Sequence, residues 1–397
     1  MESGRDGRID LYRGLALVFI FWDHVPGSVL GLISPRNFGL SDAAEIFVFL
    51  AGYAAALAYG KVLARDGYAA AGVRVLKRAW VLYVAHIFLM VLLMGVVFVA
   101  NSRVETRDFV QEMHLGYFLV NPEQALVDAL TLRFKPNLMD PLPLYIILLL
   151  LLAAVLPLLA RWRGWVVAGS ALLYALTLVF DWNLPGQPGE WWFFNPLAWQ
   201  FLFILGSAAA MHGTRTGKSW RMPRPVLAAA FGYLVLSAAL ALSWRWPELH
   251  DAVMPQAVAE FIYPISKTNL SPLRLLHFLA LAACMAALLP SGAWLDHPLN
   301  AHLRRIGRHS LEVFCLGVIL APLADVVNTL LGDRVTIQLL TGLVGVAVMF
   351  GFALLIEWSR GLKQRQAGLP DITPQAAMLF NDRQLASNAS EMNSGRL

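Results

Sequence analysis

Two ionisable side chains in the first apolar stretch have the spacing of a working pair. That stretch reads RIDLYRGLALVFIFWDHVPG, and ten residues separate Arg13 from His24. On an α-helix, eleven steps of 100° leave the two side chains about 20° apart around the axis and about 16 Å apart along it. A guanidinium is a permanent cation with the geometry to hold phosphate. A neutral imidazole, with an ordinary pKa of about 6.5, can take a proton from a hydroxyl at neutral pH. The pair suits a reaction that holds an anionic reactant near one mouth and moves a proton deeper in. A plainer reading has His24 hydrogen-bonded within a helix bundle and Arg13 reaching out to lipid headgroups.

Other residues extend the chemistry. Asp23 adjoins His24 in sequence, so on a helix it points about 100° away and is poorly placed to orient the imidazole. Glu45, at the start of SDAAEIFVFLAGYAAALAYG, is expected level with His24 and is the better partner. Asp42 shares its face at i, i+3, although Ser41 and Asp42 also read as helix caps. Gly52 and the run from Ala54 to Ala56 read as close helix packing. Arg74, Lys77 and Arg78 crowd one helical side, either as a phosphate clamp or as a topology signal. His86 reads as a core histidine or, less readily, a catalytic one.

Three further segments carry polar groups. In WWFFNPLAWQ, Trp191 and Trp192 could stack on sugar rings while Asn195 and Gln200 bond hydroxyls; the alternative is an aromatic belt at the membrane surface. In SKTNLSPLRLLHF, Lys267, Arg274 and His277 could hold an anionic carboxylate. His309, Ser310 and Glu312 open another apolar run, where helix capping is the simpler role. No Ser-His-Asp spacing and no metal-ligand cluster stands out. Cys284 and Cys315 fall inside apolar runs without a CxxC pairing.

The elements that must position these groups follow from composition. The 397 residues are 58% hydrophobic and 14% charged, with a mean hydropathy of +0.59, against about 25% charged in soluble domains. Apolar runs fall at 11–33, 41–60, 79–100, 144–160, 165–180, 193–211, 225–243, 272–290, 310–331 and 336–358. Most approach or reach the length that crosses a hydrocarbon core. Basic residues concentrate in alternate connections: Arg5 and Arg8, then Lys61 to Arg78, Arg161 and Arg163, Arg215 to Arg224, Arg304 to Arg308, and Arg360 to Arg365. The alternation predicts both termini in the cytoplasm. The net charge of +5 thus marks topology rather than a nucleic-acid surface. The polar start, MESGRDGRID, with no small-residue cleavage site after the first apolar stretch, predicts that this stretch is retained as a span. The expectation is an all-α bundle of about ten transmembrane helices over residues 1–365, followed by a disordered cytoplasmic tail at 366–397.

The pairing of Arg-x10-His with SDAAEIFVFLAGY resembles the type-3 membrane acyltransferase superfamily, with Ala51 where that family usually has Ser. Together with MDPLPLYIILLLLL, WWFFNPLAWQFLF, SKTNLSPLRLLHFLAL and IGRHSLEVFCLG, it is similar to one branch, the succinyltransferases of osmoregulated periplasmic glucans. The resemblance implies transfer of an acyl group from an acyl-CoA, here succinyl-CoA, to a glucan hydroxyl, with His24 as general base. It also implies the bacterial inner membrane, no permanently bound cofactor, and acyl-CoA, periplasmic glucan and membrane lipids as partners. An O-acetyltransferase of another envelope polysaccharide is the neighbouring alternative. A transporter would also bury ionisable groups, but no pair of matching interrupted spans appears in two halves. A purely structural envelope subunit would leave Arg13 and His24 without a purpose.

Overall fold

The structure, a computed structural model, describes residues 6–216, 222–289 and 292–367. Among these, ten helices carry the architecture. They are α1 (Gly7–His24), α2 (Ala43–Asn101), α3 (Pro141–Arg161), α4 (Arg163–Phe180) and α5 (Pro196–Thr216). The others are α6 (Arg224–Ser243), α7 (Pro272–Leu288), α8 (Pro298–Arg308), α9 (Ser310–Leu330) and α10 (Val335–Ala367). Short helices occupy the connections between α2 and α3 and between α6 and α7. Among the described residues the only sheet-like pairing is one bridge, Pro185 to Trp191.

Helix α1 ends at His24, nine residues before the first apolar run does, and the chain continues through turns and two short 3₁₀ segments, Leu30–Ile33 and Pro35–Asn37. The second and third runs share α2, whose 59 residues are interrupted at Gly67, φ 83° and ψ 178°. A left-handed φ of that size is open to glycine at no steric cost. The other runs each fall in their own helix. Six helices are long and apolar enough to cross a membrane: α2, α3, α4, α6, α9 and α10 over Val335–Leu362. Large apolar side chains such as Phe88, Leu172 and Leu236 face outward on α2, α4 and α6. Burial inside the protein does not satisfy them, so lipid is the solvent that does. Arg5, Lys218, Arg221 and the tail from 368 lie outside the described residues.

The chain divides into two compact units, Met1–Phe350 and Gly351–Leu397. Within the first, two helix crossings are fixed by glycine. A methyl placed on Gly14 would overlap the Leu303 carbonyl, and one on Gly307 the Asp10 carbonyl, so α1 and α8 meet backbone to backbone. Gly52 and Gly206 do the same for α2 and α5 against the Phe203 and Phe49 carbonyls. The second crossing is also bonded, Ser207 Oγ donating to Gly52 O at 3.0 Å. Close approach lets dispersion and hydrogen bonding replace the hydrophobic drive that lipid removes. In the second unit, the described part is α10 continuing to Ala367.

Gly206→Val would force α2 and α5 apart. Its thermal unfolding in detergent should fall by the equivalent of about 3 kcal/mol or more, the upper range of overpacking costs. Gly232→Val, which meets no atom within 4 Å, should unfold near the wild-type temperature.

Candidate active site

The last turn of α1 delivers Asp23 and His24 to a cavity of about 730 Å³. The strap after it is held down by polar contacts: Ser34 Oγ donates to Asp23 Oδ1 at 2.6 Å, and Asn37 Nδ2 to Gly31 O at 2.8 Å. Arg36 rides on this strap, 3.4 Å from Asp23, and faces the same cavity. The strap leads into Asp42, which caps α2. Its carboxylate accepts from Ala44 N at 2.8 Å, while Glu45 Oε2 accepts from Asp42 N at 2.8 Å. This reciprocal capping box satisfies two of the free N–H groups at the helix start.

The capping carboxylates carry a second load. Arg274 of α7 reaches Glu45 Oε1 through Nε at 2.8 Å and Asp42 Oδ2 at 3.1 Å, and Lys267 reaches Asp42 at 2.7 Å. Glu45 is 0% exposed. Beside this network, Ser41 Oγ and His277 Nδ1 share a hydrogen bond of 2.7 Å. Four charged side chains therefore fasten the mouth of α2 to α7 and the segment before it. Of the four, only Asp42 and Lys267 line the cavity.

The opposite wall comes from the connection between α2 and α3 and from the residues before α5. Lys135 sits with Nζ 4.0 Å from the centre of the Trp192 ring and donates to Leu132 O at 3.1 Å. Trp192 is 4% exposed, whereas Trp191 is 65% exposed at the rim. Burial pushes the Lys135 ammonium down to about 8, against the pull of Asp140 and Glu190. Burial likewise pushes Asp140 up to about 6, with Lys135 opposing. Both outcomes follow from charge held away from water.

The residues singled out from sequence thus separate into groups. His24, Asp23, Lys267, Trp191 and Trp192 line one cavity. Glu45 does not join His24 there, because its carboxylate is taken by Arg274 and the Asp42 amide. Arg274 and His277 are similarly committed, to the carboxylates and to Ser41, rather than standing open to an acyl carboxylate. Asn195 is fully buried, bonding Trp182 O, Asn269 and Leu197 N, and Gln200 Nε2 donates to Ser170 O at 2.9 Å. Neither lines the cavity; both hold α5 to its neighbours. Arg13 lies toward the other end of α1, where it donates to Ser310 Oγ. Arg74 and Lys77 are exposed and Arg78 half-buried on α2 beyond Gly67. His86 is buried with neither ring nitrogen hydrogen-bonded to a described residue.

Sequence reasoning missed Arg36, Lys135, Asp140 and Glu190, all of which line the cavity. Asp140 stood inside the MDPLPLY segment, where a carboxylate before a proline-started helix reads as a cap. Its side chain makes no cap bond.

Removing one partner of the buried network should expose its cost. Arg274→Met should lower unfolding stability by about 3–5 kcal/mol, the typical penalty for stranding a buried charge. Adding Glu45→Leu should restore part of that loss in the same detergent unfolding assay. A second measurement reads Lys135: at pH 8 about half of it is deprotonated, against under about 1% of an ordinary lysine. An amine-acylating reagent at pH 8 should therefore label Lys135 ahead of exposed Lys61 and Lys77 in peptide mass spectra. Raising the pH to 10 should erase the preference.

A family model described as OpgC protein matches residues 5–361, nearly the whole chain, and the chain belongs to that family. No curated protein and no solved structure matches it.

Proposed function

We propose that this chain, as a member of the OpgC protein family, is a glucan acyltransferase that moves succinyl from succinyl-CoA to a hydroxyl of a periplasmic glucan. The family match gives the class of reaction. The observation that carries the mechanism is His24, set at the end of α1 on a 730 Å³ cavity whose rim is an exposed tryptophan. In the reaction, the neutral imidazole of His24 accepts the proton of the sugar hydroxyl. The sugar oxygen attacks the thioester carbonyl, the C–S bond breaks, and the CoA thiolate leaves with the proton passed back through the imidazole. A new ester and free CoA result.

The membrane sets where the reactants meet. We read ten spans with both termini in the cytoplasm of a bacterial inner membrane, from the alternation of Lys and Arg. The nucleotide end of the donor then stays inside, held by cations near the start of α1 and beyond the Gly67 interruption of α2, Arg13 and Arg78 among them, with Arg74 and Lys77 near by. Only the thioester arm penetrates toward His24. The glucan approaches from outside, where Trp191 offers a face for a sugar ring.

His24→Ala should cut transfer by on the order of 10²–10⁴, the usual weight of a general base, while the protein accumulates normally. The product gains a carboxylate, so glucans from cells with the wild-type chain should bind an anion exchanger more tightly and carry succinyl mass increments. Near-normal turnover by His24→Ala would end its assignment as base. Glucan charge and mass unchanged on deletion, in cells without a second such enzyme, would end the substrate assignment. Acetyl increments alone would keep the mechanism and replace the donor.

A further inference from the structure

The cavity wall formed by the connections before α3 and before α5 has a composition that acyl transfer itself does not require. Its carboxylates, Asp140 and Glu190, bond no other side chain and form no ion pair within 4 Å among the described residues, although both line the cavity. Lys135 stands close enough that both carboxylates act on its charge, yet it is steadied by the Trp192 ring and by carbonyls. Trp191 exposes its indole at the same place. The polar groups here are thus held in position by backbone and ring contacts while their hydrogen-bonding capacity stays open. That contrasts with the Asp42–Glu45–Arg274–Lys267 network, where carboxylates and cations satisfy one another.

The kind of ligand follows from the charge balance. The cavity presents four cations, Arg36, Arg133, Lys135 and Lys267, and four carboxylates, Asp23, Asp42, Asp140 and Glu190. A phosphate would meet carboxylates, and a metal ion would meet Lys135. A neutral polyol meets neither penalty. Its hydroxyls donate to carboxylates, its oxygens accept from an ammonium, and its C–H face covers an indole.

We infer that Asp140, Glu190, Lys135 and Trp191 form a subsite for an uncharged hexose ring of the acceptor. The inference rests on the acyl-transfer reading for the acceptor's identity, but its binding chemistry stands apart from the transfer step. Asp140 and Glu190 take hydroxyl protons of the ring as hydrogen-bond donors, Lys135 donates to a ring or hydroxyl oxygen, and Trp191 stacks beneath. Trp192, though adjacent, serves as the seat for Lys135 and not as a sugar platform, because its ring is buried. The subsite holds one ring while a hydroxyl elsewhere on the glucan is presented to His24. The four residues are positioning residues for the acceptor and take no part in bond making.

The full chain in detergent, titrated calorimetrically with isolated unsubstituted periplasmic glucan and separately with succinyl-CoA, tests this. Asp140→Ala, Glu190→Ala and Trp191→Ala should each weaken glucan binding tenfold or more and leave succinyl-CoA binding unchanged. Trp165→Ala, an exposed tryptophan on α4, should leave both unchanged. Asp140→Asn, which keeps an acceptor oxygen, should recover part of the loss; a merely structural role would not show this split between the two ligands. Glucan affinity within twofold of wild type in all three variants would overturn the subsite. So would a wild-type chain that transfers succinyl to glucan yet loses donor binding in the three variants. If the wild type binds glucan, the variants weaken it and no acyl group moves, the subsite stands and the acyl-transfer reading falls.

Discussion

A carboxylate with no exposure has to be neutralised where it sits, and Glu45 imposes that demand on the start of α2. Its partner comes from 229 positions away, Arg274 on α7. The same guanidinium reaches the carboxylate that caps α2, so one side chain fastens two groups at a helix start. Lys267 completes the set from the segment before α7. A buried network of this kind contributes little net stability over an apolar core, but it is intolerant of losing one member. Its effect is registry: α7 can seat against α2 in the one position where all four charges are met. The strap carrying Arg36 and the segment carrying Lys267 are thereby placed on the same cavity as His24.

Backbone contact supplies the rest of the frame. Where Gly14 meets Gly307 and Gly52 meets Gly206, the helices approach without side chains between them. Tight crossings low on α1 and midway on the first half of α2 leave the remaining volume to be divided by larger groups. Trp199, Phe203 and Phe21 fill one share of it. The other share is the cavity, which forms where α1 stops at His24 and polar connections replace helix. Function and folding are thus assigned to different parts of the same helices: glycine and aromatic residues set spacing, and helix ends present chemistry.

Much of this was legible before any coordinates. Apolar length located nearly every long helix, because a lipid-facing segment must satisfy its own backbone and so must be helical along its length. His24 stood out because an imidazole within an apolar run is costly without a partner or a cavity, and the fold sets it on a cavity. The capping role of Asp42 was legible from local spacing alone. Partner choice was not. Lys267 and Arg274 read in sequence as a site for a ligand carboxylate, and only the tertiary fold shows that Asp42 and Glu45 already engage them. Asn195 and Gln200 misled for the same reason: amides that could bond a sugar bond the protein instead. Asp140, Glu190 and Lys135 were illegible because connections lack the periodicity that ties a residue to a face, so nothing local says which loop residues converge.

The pairing of Arg13 with Ser310 at one end of α1, and the opening of His24 at the other, leaves a stretch between them that must also be explained. It is lined by Leu17, Ile20 and Phe21 from α1 and by Val313, Phe314, Gly317 and Val318 from α9, around a void of about 10 Å³. That is room for about one water, and no polar group is there to hold it. Ile20 borders this void and the large cavity alike, so it stands at the boundary between the two. A polar lining here would join the His24 cavity to the Arg13 end by a wet path. An apolar lining keeps the two ends separate in this conformation. At Gly317 a methyl would meet no atom within 4 Å, so open space remains along the seam there. The cavity at His24 and the dry seam beneath it are therefore parts of one arrangement that meet at Ile20.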